Sequence, residues 1–270
     1  MLITKQGEAV RHRFIISVFI FGLMAFSAED AKPKGYHLCG EAKASAVLSG
    51  NRMTLEGGSK LVLDGVLAPM IPREGQEFKQ WPLASWARSK VETIVENQTL
   101  TLFCGGRDFD RYGERVALVR LESGAWLHNL MLADGLARVD LTSQNITFAK
   151  TLYEMEDAAR KSRVGLHDHP AYGVLDATKP DDIRVGRFHV LVGAVYSVYT
   201  AKTKSYINFG EDFREDFTLE LSPKVTRQFT KAGIDIQSLK GKRIEVRGWV
   251  DARGGPRIIL THPSQIRILD

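Results

Sequence analysis

Residues 99–139 read TLTLFCGGRDFDRYGERVALVRLESGAWLHNLMLADGLARV. Apolar and polar residues alternate from Thr99 to Phe103, the period of a half-buried strand. Gly105 to Gly113 is polar and holds a glycine pair, so it reads as a loop. Glu114 to Glu122 is a second strand, ended by a turn at Ser123 and Gly124. Ala125 to Asp134 predicts a short helix, with Gly135 where a left-handed C-terminal cap belongs. Strand, polar loop, strand and helix follow one another closely, which points to a mainly β, α+β domain.

The pattern extends in both directions. Upstream, Glu41 to Leu48 and Arg52 to Leu55 read as short strands joined by the turn Ser49–Gly50–Asn51, and Lys60 to Val66 is a third after Gly57–Gly58. Pro69 and Pro72 interrupt regular structure, and Leu83 to Glu96 has a helical spacing of apolar residues at Trp86, Val91, Ile94 and Val95. Downstream, Leu152 to Val164 predicts a third helix closed by Gly165. The stretch 169–186 is rich in proline and polar residues and reads as a linker. From 187 to 270 the order is three strands, a helix from Pro223 to Gly233, then two strands. That is the element count of a five-stranded Greek-key OB barrel. The chain is therefore read as 36–168, a linker, and 187–270.

At 270 residues and 44% apolar, the chain has enough material for two cores, and 26% charged residues suit a water-facing surface. A net charge of +5 fits contact with polyanions, or simple solubility. Arg11, His12 and Arg13 precede the apolar run from Phe14 to Phe26, and small residues follow. Residues 1–28 thus read as a secretory signal, with an uncleaved membrane anchor as the alternative. The expected location is the periplasm or the outside of the cell. The only two cysteines, Cys39 and Cys104, would form one disulfide in an oxidising compartment, or stay as separate small buried residues.

Residues 41–166 resemble the thermonuclease-like (staphylococcal nuclease homologue) family. The resemblance rests on Asp110–Arg111–Tyr112–Gly113, on the helix Trp126 to Val139 with Gly135–Leu136–Ala137, on Leu67–Ala68–Pro69, and on Ala158–Ala159–Arg160–Lys161 with Gly165–Leu166. It implies a five-stranded OB barrel with three helices, so the whole chain is expected to hold two OB-type barrels. In such a barrel the first strand lies beside the fourth, which implies a disulfide between Cys39 and Cys104.

The family cuts phosphodiesters with two arginines, a glutamate and a calcium ion held mainly by two aspartates. By the resemblance, the calcium positions fall on Asn51 and Leu67, the base on Met70, and the phosphate-binding arginines on Val62 and Glu114. Valine, leucine and methionine can neither bind phosphate nor accept a proton at this site, and Glu114 puts negative charge where a phosphorane needs positive charge. Of the neighbours, Arg111 lies in a loop from which it could reach a phosphate. Arg115 and Asp64 are offset along strands toward the other face. His167 and His169 flank Asp168 without the further ligands of a metal site. No P-loop, dinucleotide fingerprint or Gly-x-Ser-x-Gly elbow is present. No catalytic residue, metal or cofactor is expected, and calcium only if a nuclease survives.

In the second region, Tyr196, Tyr199, Tyr206, Phe209 and Phe217 sit among Lys202, Lys204 and several arginines. Such a mix binds single strands by stacking and phosphate tracking. Phe209 and Phe217 are the two expected in the core, and Glu211, Asp212, Glu215 and Asp216 interrupt the basic surface. The nucleic-acid candidates are therefore Arg111, Tyr112, Arg115, Tyr196, Tyr199, Lys202, Lys204 and Tyr206. The leading reading is a non-catalytic exported protein that binds single-stranded nucleic acid or an envelope protein, with no small-molecule substrate evident. The alternatives are an active calcium-dependent endonuclease and a periplasmic protein scaffold.

Overall fold

The computed structural model describes residues 33–106, 108–141 and 148–269. The segment read as a signal, 1–28, lies outside the described residues. The first half of the chain builds a closed barrel from β1 (Tyr36–Ser49), β2 (Arg52–Leu55), β3 (Lys60–Leu63), β5 (Thr99–Gly105) and β6 (Arg115–Arg120), in the order β1-β2-β3-β6-β5. Alternation decides what fills it. Met53, Leu55, Leu61, Leu63, Leu100, Leu102, Ala117 and Val119 are all buried. Each large side chain of this kind contributes roughly 1.5–3 kcal/mol by leaving water. One face of α1 (Ala84–Val95) adds Ala87, Val91 and Val95 to the same core, and α2 (Leu127–Ala133) adds Leu127, Met131 and Leu132.

β1 begins five residues before the predicted Glu41 and serves two partners. Its first half pairs with β5 and its second half with β2. The register slips between Leu38 and Gly40, which leaves Cys39 as the extra residue of a bulge. Gly40 there has φ 133°, a conformation that side chains disfavour. Cys39 is bonded to Cys104 of β5, with Cα atoms 5.7 Å apart. The barrel half is completed by a two-stranded ribbon, β4 (Val66–Leu67) with β7 (Arg138–Val139), and by α3 (Ala149–Lys161). Gly135 (φ 61°) and Gly165 (φ 58°) touch each other's backbones behind α2 and α3. A Cβ on Gly135 would lie 2.2 Å from the Val164 carbonyl oxygen.

The second sheet comprises β8 (Leu175–Asp176), β9 (Phe188–Ala194), β10 (Ser197–Thr200), β11 (Ser205–Asn208), β12 (Thr218–Leu221), β13 (Arg243–Arg253), β14 (Gly255–Leu260) and β15 (Ile266–Ile268). Its order is β10-β11-β12-β14-β13-β9-β8, with β15 also on β13. The single long strand predicted over Phe188 to Tyr199 is broken at Val195 and Tyr196. There the chain changes partners: Val195 N–H donates to Lys242, and Tyr196 N–H to Asn208. Counting β9 and β10 as one bent strand, the order repeats that of the barrel, including a parallel pair, β12 with β14, that matches β3 with β6. The sheet is thus curled around its own core of Ile207, Phe209, Phe217, Leu219, Ile244 and Val246, plugged by Phe229 of α4 (Pro223–Lys231). β8 and β15 are additions that the predicted five-strand count does not contain.

The stretch 169–186 is packed in place. Tyr172, Ala177 and Ile183 are buried, β8 runs parallel to β9, and the Tyr172 hydroxyl donates to the Pro82 carbonyl. Between barrel and sheet lie an apolar cluster of Trp81, Leu166, Tyr172, Phe188 and Val190, and an ionic network buried at Arg247, Glu156 and Glu245. In that network Arg247 bridges Glu156 and Glu245, Arg160 meets Glu245 at 2.6 Å, and Arg267 meets Asp157 at 2.6 Å. Burial alone would raise Glu245, but Arg247 and Arg160 hold its carboxyl down at about 2.

Candidate functional site

The turn between β1 and β2, the end of β3, the ribbon strand β4 and the start of β6 surround a cleft of about 280 Å³. Asn51, Val62, Leu67 and Met70 all line it, together with Arg52, Arg73, Asp64, Asp110, Asp140 and Trp249. Asn51 is turned to the backbone, its amide donating to the Val66 carbonyl at 3.2 Å. Leu67 and Met70 lean on the apolar cluster that joins barrel to sheet. Their side chains therefore have a packing role here, and a carboxylate at either place would lose solvent beside Trp81 and Phe188.

Glu114 is 4% exposed and sits just outside β6, in an adjoining hollow of about 510 Å³. Arg52 meets it with two donors, Nε at 3.0 Å and NH2 at 2.6 Å, and Arg73 NH1 approaches at 3.0 Å. This forked geometry is how arginine holds a phosphate or carboxylate. Asp110 shapes the loop that carries Glu114, because its Oδ1 accepts from the backbone N–H of Tyr112 (2.8 Å) and of Glu114 (2.9 Å). Tyr112 is half exposed, and the Arg73 and Arg111 guanidinium groups lie over its ring at 4.3 and 4.8 Å. Arg115 turns away onto Phe109, 5.0 Å from the ring centre.

Arg52 and Arg73 were not legible as site residues. The available signal was cross-strand register: Arg52 lies directly opposite Val62 on the neighbouring strand, so a charge lost at 62 has a neighbour to supply it. Asp64 also differs from expectation. β3 ends at Leu63, so strand alternation does not carry to the next residue, and Asp64 faces the cleft and accepts from the Tyr36 hydroxyl at 2.7 Å. Asp140 is half-buried. Burial pushes its carboxyl up to about 6 against the pull of Arg247 and Arg138. His128 on α2 is fully buried and pushed down to about 3 by desolvation, hence neutral.

The remaining candidates fall on the second sheet. Tyr199 and Tyr206 are cross-strand partners on its outer face, and Tyr199 is 62% exposed. Lys204 is drawn onto Glu220, which also binds Arg257 at 2.6 Å. Lys202 lies exposed in the turn between β10 and β11, and Tyr196 is exposed at the bend between β9 and β10. Phe209 and Phe217 are buried against each other, with centroids 5.2 Å apart. The candidates thus divide between two places: Arg111, Tyr112 and Arg115 on the barrel loop, and the tyrosines and lysines on the sheet.

A closed β1-β2-β3-β6-β5 barrel with α1 across it and α2 and α3 behind defines an OB-type barrel of the nuclease kind. Residues 60–169 match the family model of the staphylococcal nuclease homologue. No curated protein matches the chain. Calcium takes six to eight oxygen ligands, whereas Leu67 offers none and Asn51 offers a single amide oxygen, which accepts from the Ser49 hydroxyl at 3.3 Å. Among the described residues, no three histidine, cysteine, aspartate or glutamate side chains gather to hold a metal. The residues present do not fit calcium.

Proposed function

We propose that this is an exported, non-catalytic protein of the thermonuclease fold that acts by binding, with single-stranded nucleic acid as the partner of its barrel. One observation carries the non-catalytic reading. The two arginines of the cleft are already occupied by an internal anion, the Glu114 carboxylate, at 2.6–3.0 Å. A substrate phosphate would have to displace a buried covalent competitor, and would then meet Asp64, Asp110 and Asp140 without a general base at Met70. What remains for a polyanion is the outer rim, where Arg111, Tyr112, Arg115 and Phe109 offer cations and half-exposed rings. Export is supported by the charged and apolar N-terminal pattern and by the Cys39–Cys104 bond, which belongs to an oxidising compartment.

Purified protein is to be incubated with single-stranded and plasmid DNA in calcium, with and without chelator. No strand scission is expected. Fluorescence anisotropy on a labelled oligonucleotide is expected to give binding that weakens with salt and weakens further in Arg111→Ala and Arg115→Ala. Calcium-dependent cleavage would overturn the non-catalytic reading. Absence of binding at low salt would remove nucleic acid as the partner.

A further inference from the structure

The outer face of the second sheet holds a groove of about 650 Å³, separate from the barrel cleft. Strand register builds it in two rows. Tyr199, Tyr206 and Glu220 stand side by side across β10, β11 and β12. Ser197, Asn208, Thr218 and Arg257 form the next row across β10, β11, β12 and β14. Phe213, from the loop between β11 and β12, stands at the edge 64% exposed. Sequence alternation explains the arrangement. The intervening residues Ile207, Leu219 and Ile258 face the core, so this face is free to carry polar and aromatic groups.

We propose that this groove binds an uncharged oligosaccharide. Three features select that ligand class. First, Tyr199 and Phe213 leave large ring faces in water, and the C–H faces of a pyranose ring are the apolar surface that such rings cover. Second, the floor offers fixed hydrogen-bonding groups to hydroxyls. Asn208 donates to Ser197 Oγ at 3.1 Å and accepts from Thr218 Oγ1 at 3.0 Å, so its amide is held in place. The Asp216 carboxylate and the Arg253 guanidinium face the groove with no ion-pair partner among the described residues.

Third, the charge is wrong for a polyanion. Lys204 and Arg257 are both tied to Glu220, and Arg257 is also tied to Asp251 at 2.7 Å. Glu211, Asp212 and Glu215 crowd the loop beside Asp216. A phosphodiester backbone would meet these carboxylates with few free cations in return, whereas a polyol uses donors and acceptors alike. This ligand differs from the nucleic acid expected of Tyr199, Tyr206, Lys202 and Lys204 from sequence, and does not depend on the barrel reading.

The groove is also held ready. The β13–β14 turn presses bare backbone against the loop that carries Phe213 and Asp216. A Cβ on Gly254 would lie 2.5 Å from the Arg214 carbonyl oxygen, and one on Gly255 2.3 Å from that of Glu215. A Cβ on Gly210 would lie 2.1 Å from the Asp216 carboxylate. A braced loop loses less freedom when a ligand arrives.

The test is calorimetry and saturation-transfer NMR on the full exported chain. The probes are a panel of neutral β-linked glucan, chitin and galactan oligosaccharides, with a thymidine oligonucleotide as the polyanion. The expected result is saturable binding of at least one neutral oligosaccharide, changing by less than about twofold between low and high salt. Tyr199→Ala and Phe213→Ala, which remove exposed rings, are expected to weaken it by about tenfold or more with an unchanged circular dichroism spectrum and melting temperature. Asp216→Asn is expected to be milder, since it keeps hydrogen-bonding capacity. Binding to no member of the panel overturns the proposal, as does saccharide binding that survives both ring deletions. Salt-sensitive oligonucleotide binding that Tyr199→Ala abolishes would overturn it in favour of nucleic acid.

Discussion

Arg247, on β13 of the second sheet, donates to Glu156, on α3 of the barrel half, at 2.5 Å, with both side chains out of solvent. The same guanidinium reaches the Val139 carbonyl and Glu245, and lies 4.5 Å from the centre of the Tyr153 ring. Ninety-one residues of chain separate the pair. The two parts of the molecule are therefore joined by charges whose desolvation is offset only while each partner stays in place.

Removing one partner is expected to cost far more than removing both. Arg247→Met leaves Glu156 and Glu245 buried with less counter-charge, and a loss of about 3–5 kcal/mol is expected. Adding Glu156→Leu to that variant should recover part of the loss, because no unpaired carboxylate then remains at 156. Urea unfolding checks this. The wild type is expected to unfold in one transition, and the Arg247→Met variant to separate barrel from sheet.

Glu114 is the second lever. Glu114→Ala frees Arg52 and Arg73, which now hold its carboxylate from two sides. Stability should fall by roughly 1.5–3 kcal/mol, the scale of hydrogen bonds to a charged group. Oligonucleotide affinity should rise, and the dependence of log K on log salt should steepen by about one to two phosphate contacts. No cleavage should appear, since Leu67 and Met70 still supply neither ligand nor base. Anisotropy across a salt series, beside a nuclease assay, reads both outcomes.

These two sites mark what the sequence discloses and what it does not. The barrel strands were legible because alternation at Met53, Leu55, Leu61 and Leu63 is a local signal. The glycine stops at 135 and 165 were legible because only a left-handed cap needs them there. The residues on the family's catalytic positions could be named by resemblance. Their present use could not. Leu67 and Met70 are apolar because Phe188 and Trp81 lie against that edge, more than ten residues away along the chain in one case and more than a hundred in the other. Arg52 and Arg73 come to Glu114 from a facing strand and a loop, and Arg247 meets Glu156 across the whole junction. Such pairings depend on three-dimensional register, to which a one-dimensional pattern is blind. The groove at Tyr199 fell between these cases. Its rings were visible in the sequence, but the neutralisation of Lys204 by Glu220 was not.

Asp140 gives the molecule a pH dependence of defined sign. Burial raises its carboxyl from 3.8 to about 6 in the folded chain, so the folded state binds this proton more tightly than the unfolded one. The resulting penalty is absent below the unfolded pKa, grows as pH rises from about 4, and is complete above about 6. Asp140→Asn removes it. The variant should match the wild type near pH 4 and be more stable by about 1–3 kcal/mol near pH 8. Denaturant midpoints at the two pH values check it, and a gain confined to acid would contradict the assigned cause.

The last prediction concerns Cys39 and Cys104, which close a loop of 65 residues between the bulge of β1 and the end of β5. Cross-linking so long a loop removes freedom from the unfolded chain, worth about 4 kcal/mol on the loop-entropy scale and commonly 2–4 kcal/mol in measured cases. The site is well supported without the bond, since β1 and β5 remain paired from Tyr36 to Lys43. Cys39→Ser with Cys104→Ser is therefore expected to fold and to melt at a lower temperature, as is the wild type after reduction. The groove on the second sheet lies on other strands, so its ligand affinity should not change. Differential scanning calorimetry of the oxidised, reduced and double-serine forms measures the loss. Equal melting of all three would mean that the unfolded chain is already confined by residual pairing of these two strands.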